Sequence, residues 1–283
     1  MALKDYINLC RPLQWYKNLI IFIAIFFKAE IFNLDKLFIV ILGFISLCLV
    51  SSTNYIINDI LDKERDQNNP EKRNRPIASG KVGIFSASII SAILFLISLA
   101  IAYKLHKYFL LSVISLFVLT LLYSLILKHR PIIDIIVISI NFVIRAVSGT
   151  FIINTDISPW LITGTFFLSL FVSIGKRISE IKLMKDFENH RITLRFYDGE
   201  FSKSLMTASA TILIVSFSLY SFLAKHQRII FTLPVFVYLI FKYLNLVYSN
   251  SEIPRHPELI YKDTEFLIGL ILMLALSALF VYI

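Results

Sequence analysis

Charge is scarce in this chain. Only 17% of its 283 residues are Asp, Glu, Lys or Arg, where a soluble domain carries roughly 25%. That shortage excludes an ordinary soluble enzyme. Cysteine is scarcer still. Cys10 and Cys48 share no metal or redox spacing, which leaves two ordinary thiols. The five His residues are scattered, so no His-built metal centre is expected. A cleavable leader is not expected either: the first apolar run is bounded by Lys28 and Glu30, with no small-residue cleavage pattern.

What fills the chain instead is apolar sequence, 57% of it. Most of the excess lies in runs suited to a bilayer, which takes about 20 residues per crossing. The runs are Leu19–Phe27, Phe38–Ile57, Ile84–Tyr103, Tyr108–Leu127, Ile132–Ile153, Trp160–Ile174, Leu205–Leu223, Ile229–Val247 and Phe266–Ile283. The first and sixth are short, so their helices are expected to begin near Trp15 and to run on toward Glu180. The fold expected is all-α, a polytopic membrane protein with nine transmembrane helices in a single domain over 1–283.

Most of the 28 Lys and Arg residues fall on the side of the membrane that holds the N-terminus. The other side receives only Lys28, Lys36, Lys104, Lys107, Lys225 and Arg228. The positive-inside rule then puts the N-terminus in the cytoplasm, as in a bacterial inner membrane. Charge confined to loops beside a membrane also argues against nucleic acid as a partner. Two loops on the basic side are long, at about 59–83 and 175–204, and long loops in a compact fold are usually functional.

The first long loop opens on Asn58-Asp59-Ile-Leu-Asp62-Lys-Glu-Arg-Asp66. Asn58, Asp62 and Asp66 are spaced i, i+4, i+8, with Asp59 three before Asp62, so a helix presents them on one face. Aligned carboxylates repel one another. An all-oxygen donor set therefore points to a hard cation such as Mg²⁺, which takes one or two carboxylates plus substrate phosphates. The plainer reading, a solvated helix end with i, i+4 pairs, explains one acid but not the row.

Basic residues follow at once, including Lys72 and Arg75. A polyanion bridged to the acids through the metal would account for both sets, with Arg75 giving bidentate contact and Lys72 a point charge. Positive-inside topology alone is the plainer explanation. Lys17, in Arg11-Pro12-Leu13-Gln14-Trp15-Tyr16-Lys17-Asn18, divides between phosphate binding and an interface belt. Tyr123 and Lys128 close the fourth run, five apart. Asp134 opens the fifth, and Arg145 follows eleven residues later, close to three turns of about 3.6. Arg145 is the deepest basic residue, and such a group faces a cavity or a partner. Gly175-Lys176-Arg177-Ile-Ser-Glu180 ends the sixth run, with Lys176 and Glu180 an i, i+4 pair. The loop after it carries Arg191 but no second Asp-x-x-x-Asp row.

These motifs together resemble the UbiA superfamily of intramembrane prenyltransferases, most closely its branch of decaprenyl-phosphate phosphoribosyltransferases. The resemblance rests on Arg11-Pro-x-Gln-Trp-x-Lys-Asn18, Asn58-Asp-x-x-Asp-x-x-x-Asp66, Arg75-Pro-Ile-Ala78, Tyr123-Ser-x-x-x-Lys128, Arg145-Ala-x-x-Gly149 and Gly175-Lys-Arg-x-x-Glu180. It implies nine helices around a central cavity, capped by the two long loops. It also implies Mg²⁺ held at Asn58, Asp59, Asp62 and Asp66.

Most of the superfamily has a second acidic row where this chain has Gly175-Lys176-Arg177. That departure fits phosphoribosyl diphosphate (PRPP), which bears phosphate at both ends, better than an isoprenyl diphosphate. The implied reaction moves 5-phosphoribose to a polyprenyl phosphate. Asp59, Asp62, Asp66, Lys17 and Tyr123 would be catalytic. Lys17, Lys72, Arg75, Tyr123, Lys128, Asp134, Arg145, Lys176, Arg177, Glu180 and Arg191 would contact substrate. A homo-oligomer is compatible with this reading. Asp59→Ala or Asp62→Ala is expected to abolish turnover with little loss of folded protein. Prenyl transfer to an aromatic acceptor is the second reading and lipid or solute transport the third.

Overall fold

The computed structural model describes residues 3–183, 196–197, 199–223, 226–249 and 251–283. Every regular element among them is a helix. In chain order they are α1 (Leu3–Cys10), a 3₁₀ segment (Pro12–Phe22), α2 (Ile23–Phe27), α3 (Leu34–Leu61) and α4 (Lys63–Gln67). Then come α5 (Ile84–Leu105), α6 (Lys107–Leu125), α7 (Ile133–Ile152), α8 (Pro159–Leu183), α9 (Glu200–Leu223), α10 (Leu233–Tyr248) and α11 (Thr264–Tyr282). Eight helices among the described residues are long and apolar enough to cross a membrane. Their exposed faces stay apolar, as at Ile89, Ile93, Leu96 and Ile97 of α5. Lipid is the solvent that such faces suit.

The extension of the sixth run is borne out, since α8 continues past Glu180. The first of the nine expected helices takes another form. Its residues wind as 11 of 3₁₀ helix and then 5 of α-helix. A 3₁₀ helix rises about 2.0 Å per residue and an α-helix about 1.5 Å. The 16 residues therefore reach roughly 30 Å, the hydrocarbon thickness of a bilayer.

Tighter winding also stacks every third side chain in one column. Here that column is Trp15, Asn18 and Ile21. Trp15 Nε1 donates to Ser52 Oγ at 3.0 Å, and Asn18 Nδ2 donates to Cys48 Sγ at 3.4 Å. Ile21 packs in the core. In an α-helix the same three residues would fan apart by about 60° per step.

The chain forms two compact units. One comprises Met1–Leu125 and Ile144–Asp156, the other Ile126–Val143 and Ile157–Ile283. In the first, Ile21 and Ile25 pack with Val40, Leu47, Phe109 and Ile152. Hydroxyls join α3 to α5: Ser46 Oγ donates to the Ser98 carbonyl at 3.0 Å, and Ser98 Oγ returns the bond at 2.8 Å. Small residues with interhelical hydrogen bonds are what bring helices together where lipid is as apolar as leucine. Gly149 permits a closer approach still. A Cβ there would lie 2.2 Å from the carbonyl oxygen of Ile21. In the second unit Phe171, Ile174, Met206, Ile240 and Val247 form the core.

Candidate active site

The acidic row survives a break in its helix. α3 ends at Leu61, Asp62 is the junction (φ −96°, ψ 12°), and Asp66 rides on α4. Backbone bonds from Asp62 N to Asn58 O (2.9 Å) and from Asp66 N to Asp62 O (2.8 Å) carry the helical ladder through. Asp59 and Asp66 are buried, at 2% and 3% exposure, while Asn58 and Asp62 are half-buried.

Two arginines meet the buried acids. Arg75 Nη1 donates to Asp59 Oδ1 at 3.0 Å and to Asp66 Oδ2 at 2.6 Å, so one nitrogen bridges both carboxylates. Arg11 Nη2 pairs with the same Asp59 Oδ1. Arg11 comes from a left-handed residue (φ 49°) just before Pro12, and its guanidinium lies 5.2 Å over the Tyr55 ring. Lys72 sits in the field of Arg75 and Asp66. Burial pushes its amine below the ordinary lysine value, with Arg75 adding to the effect. Lys17 Nζ lies 5.9 Å over the Tyr16 ring, and Tyr123 is half-buried on α6.

The donor chemistry fits a hard dication. Two carboxylate oxygens already converge on one cationic nitrogen, and Mg²⁺ needs only one or two carboxylates besides phosphate. One turn earlier, Asn54 Oδ1 is buried without a hydrogen-bond partner. Among the described residues no three acids, histidines or cysteines gather at a point. The ion would therefore depend on ligand oxygens to fill its shell. A cavity of about 270 Å³ lined by Thr53, Ile57, Ile60, Ser91, Phe95 and Phe117 lies on the opposite face of α3 from the acids and plays no part here.

Arg145, deep in α7, is half-buried, and its Nε donates to Asn18 Oδ1 at 2.9 Å. The partner shown for that nitrogen is thus an amide.

The second unit holds a separate polar cluster. Asp134 is fully buried; its Oδ1 accepts from Tyr197 Oη at 2.6 Å and its Oδ2 from Arg177 Nε at 3.1 Å. Arg177 Nη1 donates to Glu180 Oε2 at 2.8 Å. Glu180 therefore has Arg177 at i−3 as an ion-pair partner. Tyr197 Oη also accepts from the backbone N–H of Ile132 at 2.9 Å. Ile132 has φ 66°, a costly conformation for a β-branched residue. Burial, reinforced by the hydrogen bond to Asp134, pushes the Tyr197 phenol above its ordinary value. Lys128 is buried in the turn Leu127–His129, and Lys176 is half-buried. Arg191 lies outside the described residues.

Tyr197→Phe is expected to lower stability by about 1–3 kcal/mol, because Asp134 loses a donor and Ile132 an acceptor. Thermal unfolding in detergent reads this directly, and an unchanged midpoint would refute it.

Sequence reasoning missed three residues of these clusters: Arg11, Asn18 and Tyr197. The first two stand in a quoted motif, yet nothing in their spacing reveals a partner 48 or 127 residues away.

A helical membrane protein with an acidic row matched to arginines at one helix end is the class that fold and site define. The chain belongs to the UbiA prenyltransferase family, whose sequence profile matches residues 18–256. It is 32% identical over 232 residues to the decaprenyl-phosphate phosphoribosyltransferase of Mycolicibacterium smegmatis, covering 80% of this chain and 73% of that one. Similarity to the enzyme of the same name from Corynebacterium glutamicum is 32% over 227 residues, covering 78% and 68%. A UbiA homologue from Archaeoglobus fulgidus, solved bound to GPP and Mg²⁺, shares the fold. Its TM-score is 0.76 at 20% identity, over 99% of this chain and all of that one.

Proposed function

We propose that this protein transfers 5-phosphoribose from PRPP to a polyprenyl phosphate within the membrane, releasing diphosphate. One observation carries the reading. The chain has a single acidic row, its two buried members matched to Arg11 and Arg75, and basic residues stand where a second row would be. The similarity to two decaprenyl-phosphate phosphoribosyltransferases over more than three quarters of the chain supports the same choice.

In this reading Asn58, Asp59, Asp62 and Asp66 hold Mg²⁺, which when bound neutralises charge on the leaving diphosphate. Arg75 and Lys72 contact the diphosphate, supported by Lys17. The bond from C1 of the ribose to the diphosphate oxygen breaks, and the diphosphate keeps the electron pair. C1 gains oxocarbenium character, as in other glycosyl transfers. An oxygen of the lipid phosphate forms the new bond to C1. That nucleophile is already anionic, so no residue need act as general base. Arg145 is assigned to the same diphosphate, and Tyr123 to the ribose side. Arg177, Asp134 and Glu180 satisfy one another in the buried cluster, so we assign them to positioning the turn that carries Lys128. The basic loops on one side of the helices support a site at the cytoplasmic face of a bacterial inner membrane.

Purified protein with Mg²⁺, labelled PRPP and a polyprenyl phosphate is expected to yield lipid-extractable ribose phosphate. Labelled geranyl diphosphate with an aromatic acceptor, assayed in parallel, is expected to yield nothing. Product from the second donor alone would replace this reading with prenyl transfer.

A further inference from the structure

Arg145 lies in the middle of an apolar helix, and the chain spends a whole polar side chain on it. Asn18 is 1% exposed. Its Oδ1 accepts from Arg145 Nε at 2.9 Å and from Ser51 Oγ at 3.4 Å, and its Nδ2 donates to Cys48 Sγ at 3.4 Å. The amide is thereby fixed at both ends, so it presents its oxygen to the guanidinium in one orientation.

The backbone sets the same register. Ile21 is three residues after Asn18, and Gly149 is four after Arg145. Three 3₁₀ residues and four α residues both advance about 6 Å. The two segments therefore run in step: where Gly149 meets the carbonyl of Ile21, Arg145 meets Asn18 one turn away.

Arg145 is within electrostatic reach of the Tyr55 hydroxyl. Tyr55 in turn lies under Arg11, which pairs with Asp59. Tyr55 is one helical turn before Asp59 on α3, so Arg145 and the acidic row share a neighbour.

We infer that Asn18 is a positioning residue that orients Arg145 to take a phosphate of the bound ligand. The inference rests on Arg145 being a phosphate contact in the proposed reaction. Asn18 itself touches no reacting atom; it restricts the guanidinium so that little freedom is lost when phosphate binds.

The test is a double-mutant cycle on the full-length protein in detergent. Wild type, Asn18→Ala, Arg145→Ala and the double variant are each measured for KM and kcat with PRPP. The same four are measured for binding of inorganic pyrophosphate with Mg²⁺. Asn18→Ala is expected to raise KM about tenfold or more, as for a lost hydrogen bond to a charged group, with a smaller change in kcat. In the Arg145→Ala background the same substitution is expected to add little, because its route to the ligand is gone. Asn18→Asp, which keeps the acceptor but adds a charge, is expected to weaken pyrophosphate binding more than Asn18→Ala does. A purely structural Asn18 would instead give additive losses, or a lowered kcat with KM unchanged, and either outcome overturns the inference. If Asn18→Ala fails to fold, the Asn18→Asp comparison with wild type decides: unchanged pyrophosphate affinity overturns it. Failure of wild type to use PRPP would sink the donor assignment alone, since the pyrophosphate arm still reports on Asn18.

Discussion

Asp59→Ala is expected to lose transfer activity and, with it, a measurable part of the protein's stability. The acid is almost fully buried and is the shared partner of Arg11 and Arg75. Removing one member of a buried pair leaves the other charge uncompensated, at about 3–5 kcal/mol where both are fully buried. Here the two guanidiniums keep about a quarter of their surface in solvent, at 22% and 26%. The cost therefore falls to about 1–3 kcal/mol.

Asp62→Ala is expected to separate the two effects. Asp62 is half-buried at the junction of α3 and α4. Its loss removes a proposed metal ligand and roughly 10²- to 10³-fold of turnover, with an unfolding midpoint near that of wild type. The sequence alone treated the two substitutions as equivalent, and the ion pairs distinguish them. Turnover and thermal unfolding of both variants check this. Wild-type turnover in Asp62→Ala would remove the metal from the mechanism, and an unmoved midpoint in Asp59→Ala would remove the ion pairs from the stability argument.

Gly149→Ala is expected to damage the fold more than any other single methyl group added to the first unit. The new Cβ would stand 2.2 Å from a backbone oxygen, that of Ile21. No rotamer change relieves such a clash, so either α7 or the 3₁₀ segment must move. Overpacking of this kind costs about 1–3 kcal/mol and sometimes more. Movement of Ile21 also displaces Asn18 one turn away, so activity is expected to fall in the variant that does fold. Gly43→Ala is the control. Its Cβ would meet Ile152 Cδ1 at 2.3 Å, the end of a flexible side chain that can turn aside. Comparable unfolding midpoints for the two variants would refute the distinction between backbone and side-chain clashes.

Much of this was legible before any coordinates. Apolar runs of bilayer length announced eight of the helices, because a membrane admits few other solutions. The row at 58–66 was readable from its period, and the break at Asp62 did not disturb it, since the helical hydrogen bonds pass through. Other features left no local mark. Arg11 and Arg145 find partners far away in sequence, and only tertiary structure reveals them. Arg177 read as a substrate-contacting cation at the end of the sixth run, and nothing in its spacing announced its burial between Asp134 and Glu180. The first apolar run read as α-helix, and the 3₁₀ winding of Pro12–Phe22 left no mark in its composition.

That winding has a mechanical consequence. A 3₁₀ helix is about 0.5 Å longer per residue than an α-helix. Were Pro12–Phe22 to relax into α geometry, its 11 residues would contract by roughly 5 Å. Arg11 stands at one end of the segment, gripping Asp59, while Ile21 is wedged against Gly149 near the other. A contraction of that size exceeds the slack of any ion pair. The segment is therefore a strut under fixed length, and the acidic site can keep Arg11 only while the strut stays extended.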